Sequence, residues 1–356
     1  MKKVLLITMS SMALLVSCSS SGTQETIIDA GTDDQPAVFT EWSIPVADVF
    51  DGGPGRDGIP ALENPGLTNS DNASILRDTD LVLGYKNGDD IRAYQHIVLD
   101  WHEIVNDNIG DVSLAVTYCP LTGTGIGWNR VVNGSETTFG VSGLLYNTNL
   151  IPFDRATSSN WSQILNEAVN GELLGERADL IQLVETDWKT WRTMYPDTKI
   201  LSLNTGFSRT YGVYPYVDYR TNNNFFIFPV PLDSRLPAKE RVLGIVDGDK
   251  AKVYRFEDLI AEQLVTDTFN GVNYVVVGNE NFMMSYGLKG DHESLQFSYV
   301  YNDSEEVLED NEGNLWNIFG EAISGPRVGE TLNTGKAFMG YWFSFPAFYT
   351  TDIYNN

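Results

Sequence analysis

The chain has 356 residues and 42% hydrophobic content, enough for one large core or two of medium size. Acidic residues outnumber basic ones 48 to 23, a formal net charge of -25. Such a surface repels a phosphate backbone or an anionic membrane, so nucleic acid is set aside as a partner.

The first element is a targeting signal. Two lysines precede an apolar run from Val4 to Val16, too short for a comfortable transmembrane helix and laid out like a secretory signal. Leu15-Val16-Ser17-Cys18 fits a bacterial lipobox. Residues 1–17 are therefore expected to be removed and Cys18 to carry lipid that holds the protein at the membrane. Ser19 after the cysteine points to the outer membrane or a periplasm-facing position in the cell envelope. Residues 18–37, polar and poor in aromatics, read as a flexible tether. Residues 38–356 are the globular part, facing an oxidising space.

Strands are expected at Leu81 to Tyr85, Leu114 to Tyr118, Phe225 to Val230 and Tyr274 to Val277, and along the alternating Leu295, Phe297, Tyr299 and Tyr301. Trp161, Ile164, Leu165 and Ala168 share one helical face, as do Trp188, Trp191 and Tyr195. The chain is also written twice. Residues 82–107 align with 242–267 at a constant offset, Val112 and Val116 continue the match into Val272 and Val276, and shared Trp, Gly and Tyr positions carry it onward. Copy one spans about 82–195, a crossover about 205–240, and copy two about 242–349. These elements predict an α+β fold, mainly antiparallel, in which two copies share one globular unit about a pseudo-twofold axis.

The repeat doubles as an internal comparison. Cys119 faces Asn279 and His102 faces Glu262, so two chemically capable residues belong to copy one alone. Cys119 ends an apolar strand and opens into the loop "PLTGTG", a setting that can expose a reactive group. Packing is the plain alternative, since free cysteine is among the most buried residue types. Thr122, three residues on, is placed to stabilise a thiolate. His102, in "WHEIVND", is a candidate base for the thiol or a soft-metal ligand beside it, the alternative being a structural histidine at a helix end. Arg155, after Asp154 in "DRATSSNWSQ", is a candidate electrostatic helper, or else a surface charge. His96 reads as structural and His292 as solvated. "GTGIG" lacks the dinucleotide-loop spacing and "GVSGL" lacks the last glycine of a nucleophile elbow. No cofactor is predicted, and a copper(I) site built from Cys119 and His102 stays open.

Six motifs in order, "GGPGRDGIPALENP", "WHEIVND", "YCPLTGTGI", "TFGVSGLLYN", "DRATSSNWSQ" and "YPDT", resemble the bacterial and archaeal family known as domain of unknown function 3179. The likeness runs from about residue 45 to the C-terminus. Some members of that family are labelled as selenoproteins, and Cys119 is the only position here that could correspond. The resemblance therefore implies redox chemistry at Cys119. The chain departs from the family pattern at Gln95, Ser158 and Asn160.

The expectation is a lipid-anchored envelope protein with a thiol-based redox site, a possible thiol oxidoreductase: Cys119 as nucleophile, His102 as its base, Thr122 as stabiliser and Arg155 as helper. Lacking a second cysteine to resolve it, such a site needs an external thiol reductant or redox partner protein. The rivals are a copper-binding protein using Cys119 and His102 and a non-catalytic surface scaffold.

Overall fold

The structure, a computed structural model, describes residues 40–355. The signal 1–17, Cys18 and the tether 18–37 lie outside the described residues. Among the described residues no helix is long and apolar enough to cross a membrane.

The chain folds as a six-bladed β-propeller with 43% strand and 11% helix. Blade 1 is built on Leu81–Asn87 and Asp90–Gln95, blade 2 on Ile104–Ile109, Val112–Cys119 and Thr124–Asn129, and blade 3 on Phe139–Tyr146, Asn149–Asp154, Asn160–Ser162 and Glu167–Asn170. Val184–Asp187 and Lys199–Leu201 then return to flank blade 1. Copy two does the same. Blade 4 (Arg241–Asp247, Lys250–Arg255) is followed by blade 5 (Leu264–Phe269, Val272–Gly278, Met283–Leu288) and blade 6 (Phe297–Tyr299, Glu306–Asp310, Leu315–Asn317, Ala322–Ser324). Ala337–Tyr341 and Thr350–Ile353 return to flank blade 4.

Apolar clusters close the ring. One joins blades 1 and 2, one joins 2, 3 and 4, one joins 4 and 5, and one joins 5, 6 and 1. Blades 1 and 4 therefore face each other across the axis. Pairing is mostly antiparallel, each blade hiding a face against its neighbours, so the sheets need no helical layer.

This corrects the α+β expectation and its two copies about a shared pseudo-twofold core. The repeat is real but falls on the blades, three to a copy. Single blades do not resemble one another in sequence, so the visible period is three times the structural unit. The helix read into Trp161, Ile164, Leu165 and Ala168 is a hairpin in which Trp161 pairs with Ala168. That spacing mimics a helical face because cross-strand partners meet over a tight turn. The strand expected at Phe225 to Val230 does not form. Pro229 and Pro231 close that stretch, and proline cannot supply a ladder donor. The helix end named as the alternative setting for His102 is that of the short helix α1 (His96–His102), and α2 (Trp188–Met194) appears where expected. Asp187 caps α2, accepting from the Thr190 N–H at 2.8 Å. α2 lays Trp191 over Gly84, where an added Cβ would come within 2.1 Å of the indole. Gly244 stands likewise beneath Phe345.

Residues 202–240, between the two copies, form no strand or helix. They cap one face of the ring by bonding to the end of α1. The Trp101 indole N–H donates to the Val213 carbonyl at 3.1 Å, His102 Nε2 meets the Tyr211 hydroxyl at 2.7 Å, and the Tyr216 hydroxyl donates to Glu103 at 3.3 Å. Arg220 pairs with Asp100 at 2.9 Å.

Candidate functional site

Cys119 ends the middle strand of blade 2 beneath this cap and is 1% exposed. Its thiol donates to the Thr148 carbonyl at 3.7 Å. Burial pushes the thiol upward, and the charge of Glu103 adds to that. The Thr122 hydroxyl and the backbone N–H groups of Thr122 and Leu150 pull the other way, as donors around a developing thiolate do. Thr124 gives its only hydroxyl proton to Gln163 Oε1 at 2.7 Å, so the Thr122 hydroxyl donates to Thr124 at 2.8 Å while the Asn149 amide donates to Thr122 at 3.0 Å. The structure thus brings Thr122 to Cys119, with its hydroxyl proton resting on Thr124.

It does not pair His102 with the thiol. His102 is fully buried, with Nδ1 2.7 Å from the Pro60 carbonyl and Nε2 2.7 Å from the Tyr211 hydroxyl. Burial lowers its pKa. Both ring nitrogens are engaged by other partners, one of them in the cap. Arg155 is also engaged elsewhere, with Asp57 at 2.8 Å and Glu63 at 3.2 Å, its guanidinium over the Phe153 ring. Asp154 accepts from Thr157 and from the Trp161 indole, and Trp316 finds the same partner in Asp310 of copy two. Asp154 is therefore a feature of the blade. Among the described residues, no group of three or more His, Cys, Asp or Glu side chains is placed to hold a metal.

The residue that the sequence reading passed over is Glu103. It follows α1 in a left-handed backbone, φ 58° and ψ −35°, which is strained for a residue with a side chain. Gln263 repeats the conformation in copy two, φ 61° and ψ −32°. The bend belongs to the fold; the charge belongs to copy one. Burial pushes the Glu103 carboxyl up to about 7, with the Tyr216 hydroxyl bond opposing and Asp100 adding. Glu103 and Tyr216 line a cavity of about 170 Å³ whose other walls include Ile59, Leu121, Leu145 and Phe228. Leu121 stands two residues beyond Cys119. The cavity is an apolar pocket with one buried carboxyl in its wall, whose charge raises the Cys119 thiol.

Lys239 completes the buried set. It is 7% exposed, its Nζ lies 3.2 Å from the Tyr219 ring centre and 4.1 Å from that of Phe226, and it has no hydrogen-bond partner. Burial lowers it to about 7, Cys119 opposing. Two groups held near neutrality around one thiol are the kind of perturbed cluster that functional sites collect.

Fold and cluster together define a capped six-bladed propeller with a buried thiol and carboxyl beside an apolar pocket. The chain belongs to the family described as "Protein of unknown function (DUF3179)", which matches residues 56–352. No curated protein and no solved structure matches it.

Proposed function

We propose that this protein performs thiol redox chemistry at Cys119, with Glu103 rather than His102 as the proton acceptor, at the cell envelope on a lipid carried by Cys18. The observation that carries this reading is Glu103 itself: a buried carboxyl at about 7, within electrostatic reach of the only cysteine in the described chain, at the wall of an apolar pocket. A carboxyl near the working pH both takes and returns a proton. Lined by Ile59, Leu121, Leu145 and Phe228, the pocket suits an organic hydroperoxide.

The step balances without a metal. The Cys119 thiol gives its proton to the Glu103 carboxylate as sulfur attacks the distal peroxide oxygen. An S–O bond forms, the O–O bond breaks, and Glu103 returns the proton to the departing alkoxide. Cysteine is oxidised to sulfenic acid and the hydroperoxide is reduced to an alcohol. One external thiol converts the sulfenic acid to a mixed disulfide with loss of water, and a second restores Cys119.

The test is sulfenic-acid trapping. Protein treated with one equivalent of cumene hydroperoxide and then dimedone should gain one adduct, absent in Cys119→Ser and slowed at least tenfold in Glu103→Gln. No adduct on the wild type, or one that survives in Cys119→Ser, refutes the reading.

A further inference from the structure

Exposed apolar side chains are sparse on the blades and gathered on the cap. Among the described residues ten large hydrophobics are exposed, and five of them, Phe207, Val213, Val217, Ile227 and Leu232, belong to residues 202–240, about an eighth of the described chain. Their neighbours show which way they face. In the run from Val213 to Val217, the Tyr214 hydroxyl donates to the Pro120 carbonyl at 3.1 Å and the Tyr216 hydroxyl to Glu103 at 3.3 Å, so the tyrosines reach down and the valines stay outside. The Phe207 ring lies 5.5 Å from that of His102, and Ile227 stands with Tyr216 at the wall of the Glu103 pocket. Four of the five thus sit over the end of α1 and the start of blade 2.

A lone exposed valine is ordinary, but a gathered set marks an interaction surface. Val217 adds a second sign. It is 82% exposed in a left-handed backbone, φ 59°, a conformation that crowds a β-branched side chain. Such strain persists only where the surroundings impose it. Here Tyr216 is bonded to Glu103 and Tyr219 is fully buried beneath Lys239. The chain is pinned on both sides of Val217 and turns the valine into water.

Charge indicates what covers this face. Residues 202–240 carry four basic side chains against three acidic ones, in a chain of net charge -25, and no acidic residue occurs from Ser202 to Val217. Arg220 and Arg235 are paired with Asp100 and Asp233. Arg209, two residues from Phe207, has no ion-pair partner among the described residues and donates only to the Ser208 carbonyl at 3.0 Å. The chain also enters the propeller here, for the Phe50 ring lies 6.0 Å from that of Phe228 in the cap. A twofold dimer would bring this face against itself, and from 202 to 232 it offers Arg209 no carboxylate but Asp218.

We propose that the cap is a membrane-docking face. Phe207, Val213, Val217 and Ile227 enter the boundary between headgroups and acyl chains of a bilayer containing anionic phospholipid, and Arg209 takes a lipid phosphate. Apolar area together with a cation is what holds a protein in that plane, and a guanidinium matches a phosphate through two N–H groups. The acidic blades are repelled by the same surface, which turns the cap toward it. This extends the proposed envelope location, but it rests neither on a lipid at Cys18 nor on chemistry at Cys119.

Co-sedimentation with vesicles tests it. Residues 19–356 contain every apolar cluster of the closed ring and lack the lipid-bearing cysteine, so binding reports the cap and not the anchor. This protein should pellet with vesicles of phosphatidylethanolamine and phosphatidylglycerol at low salt. Val213→Asp with Val217→Asp should lower the partition at least about tenfold, while Val131→Asp with Val328→Asp, which adds the same charge at exposed valines outside the cap, should leave it within about twofold of wild type. Arg209→Gln should weaken binding several-fold and only when phosphatidylglycerol is present. Should the cap double variant fail to unfold cooperatively, amide exchange of the wild type decides: vesicles should slow it within residues 202–240 and leave the blades unchanged. No pelleting of the wild type, equal losses in the two double variants, or vesicle protection spread over the blades overturns the proposal. So does a concentration-dependent dimer in sedimentation velocity that the cap double change abolishes, which would make the occupant a second copy.

Discussion

Replacing Glu103 by glutamine removes a charge and almost nothing else. Gln263 already occupies the equivalent backbone conformation in copy two, so the side chain fits the strained bend. The energetic consequence follows from linkage. An ordinary glutamate titrates near 4.5, and burial pushes Glu103 up to about 7. At about 1.4 kcal/mol per pKa unit, that gap is worth roughly 3 kcal/mol. The folded-state pKa is the higher one, so the contribution is fully present below about pH 4.5 and is lost as the pH rises through about 7. Glutamine does not titrate. The stability of Glu103→Gln relative to wild type should therefore rise by roughly 3 kcal/mol between about pH 4.5 and pH 8. Set against this is a pH-independent loss of about 1 kcal/mol for the weakened Tyr216 bond. Urea unfolding at several pH values measures the difference, because titrating groups not coupled to Glu103 cancel between the two proteins. Parallel stability curves across that range would refute the reasoning.

Three further outcomes are expected. Lys239→Met removes an amine that burial lowers to about 7; its stabilising effect should be largest below pH 7 and shrink as the pH rises beyond, and a gain independent of pH would contradict the assignment. Gly84→Ala places a Cβ within 2.1 Å of Trp191 and should cost about 3 kcal/mol or more in chemical denaturation, while a loss under about 1 kcal/mol would mean the contact is misjudged. His102→Ala breaks the bond to Tyr211 and should speed amide exchange and proteolysis within residues 202–240 while the blades stay protected, whereas loss of protection throughout would make His102 a blade residue and not a cap anchor.

The sequence announced its duplication plainly, because residues 82–107 and 242–267 align without a gap. The propeller was hidden for a physical reason: blades within a copy share a strand pattern but not residues. Short strands joined by Gly and Asn turns also leave weak periodicity, so the hairpin at Trp161 passes for a helix. Cys119 and Thr122 could be found by spacing, since both lie on one strand-to-loop junction. His102 misled for an instructive reason. Its absence from copy two suggested chemistry, whereas the end of α1 is a docking surface for the 202–240 segment, and Asp100, Trp101, His102 and Glu103 all bond to it. A difference between repeats can thus record a docking surface as well as a reactive group. Nothing local in the sequence marked Glu103, whose pKa depends on burial by residues distant in the chain. Glu185 and Arg241, which form an ion pair, come from different copies, and only ring closure brings them together.

The proposed chemistry turns on one coupling, that the charge of Glu103 sets the reactivity of Cys119. The alkylation rate of Cys119 by iodoacetamide, followed against pH in wild type and in Glu103→Gln, measures it. Burial and the Glu103 carboxylate both raise the thiol, so removing the carboxylate should shift the whole rate profile to lower pH. Superimposed profiles, or a thiol that reacts in neither protein until it unfolds, would contradict the claim.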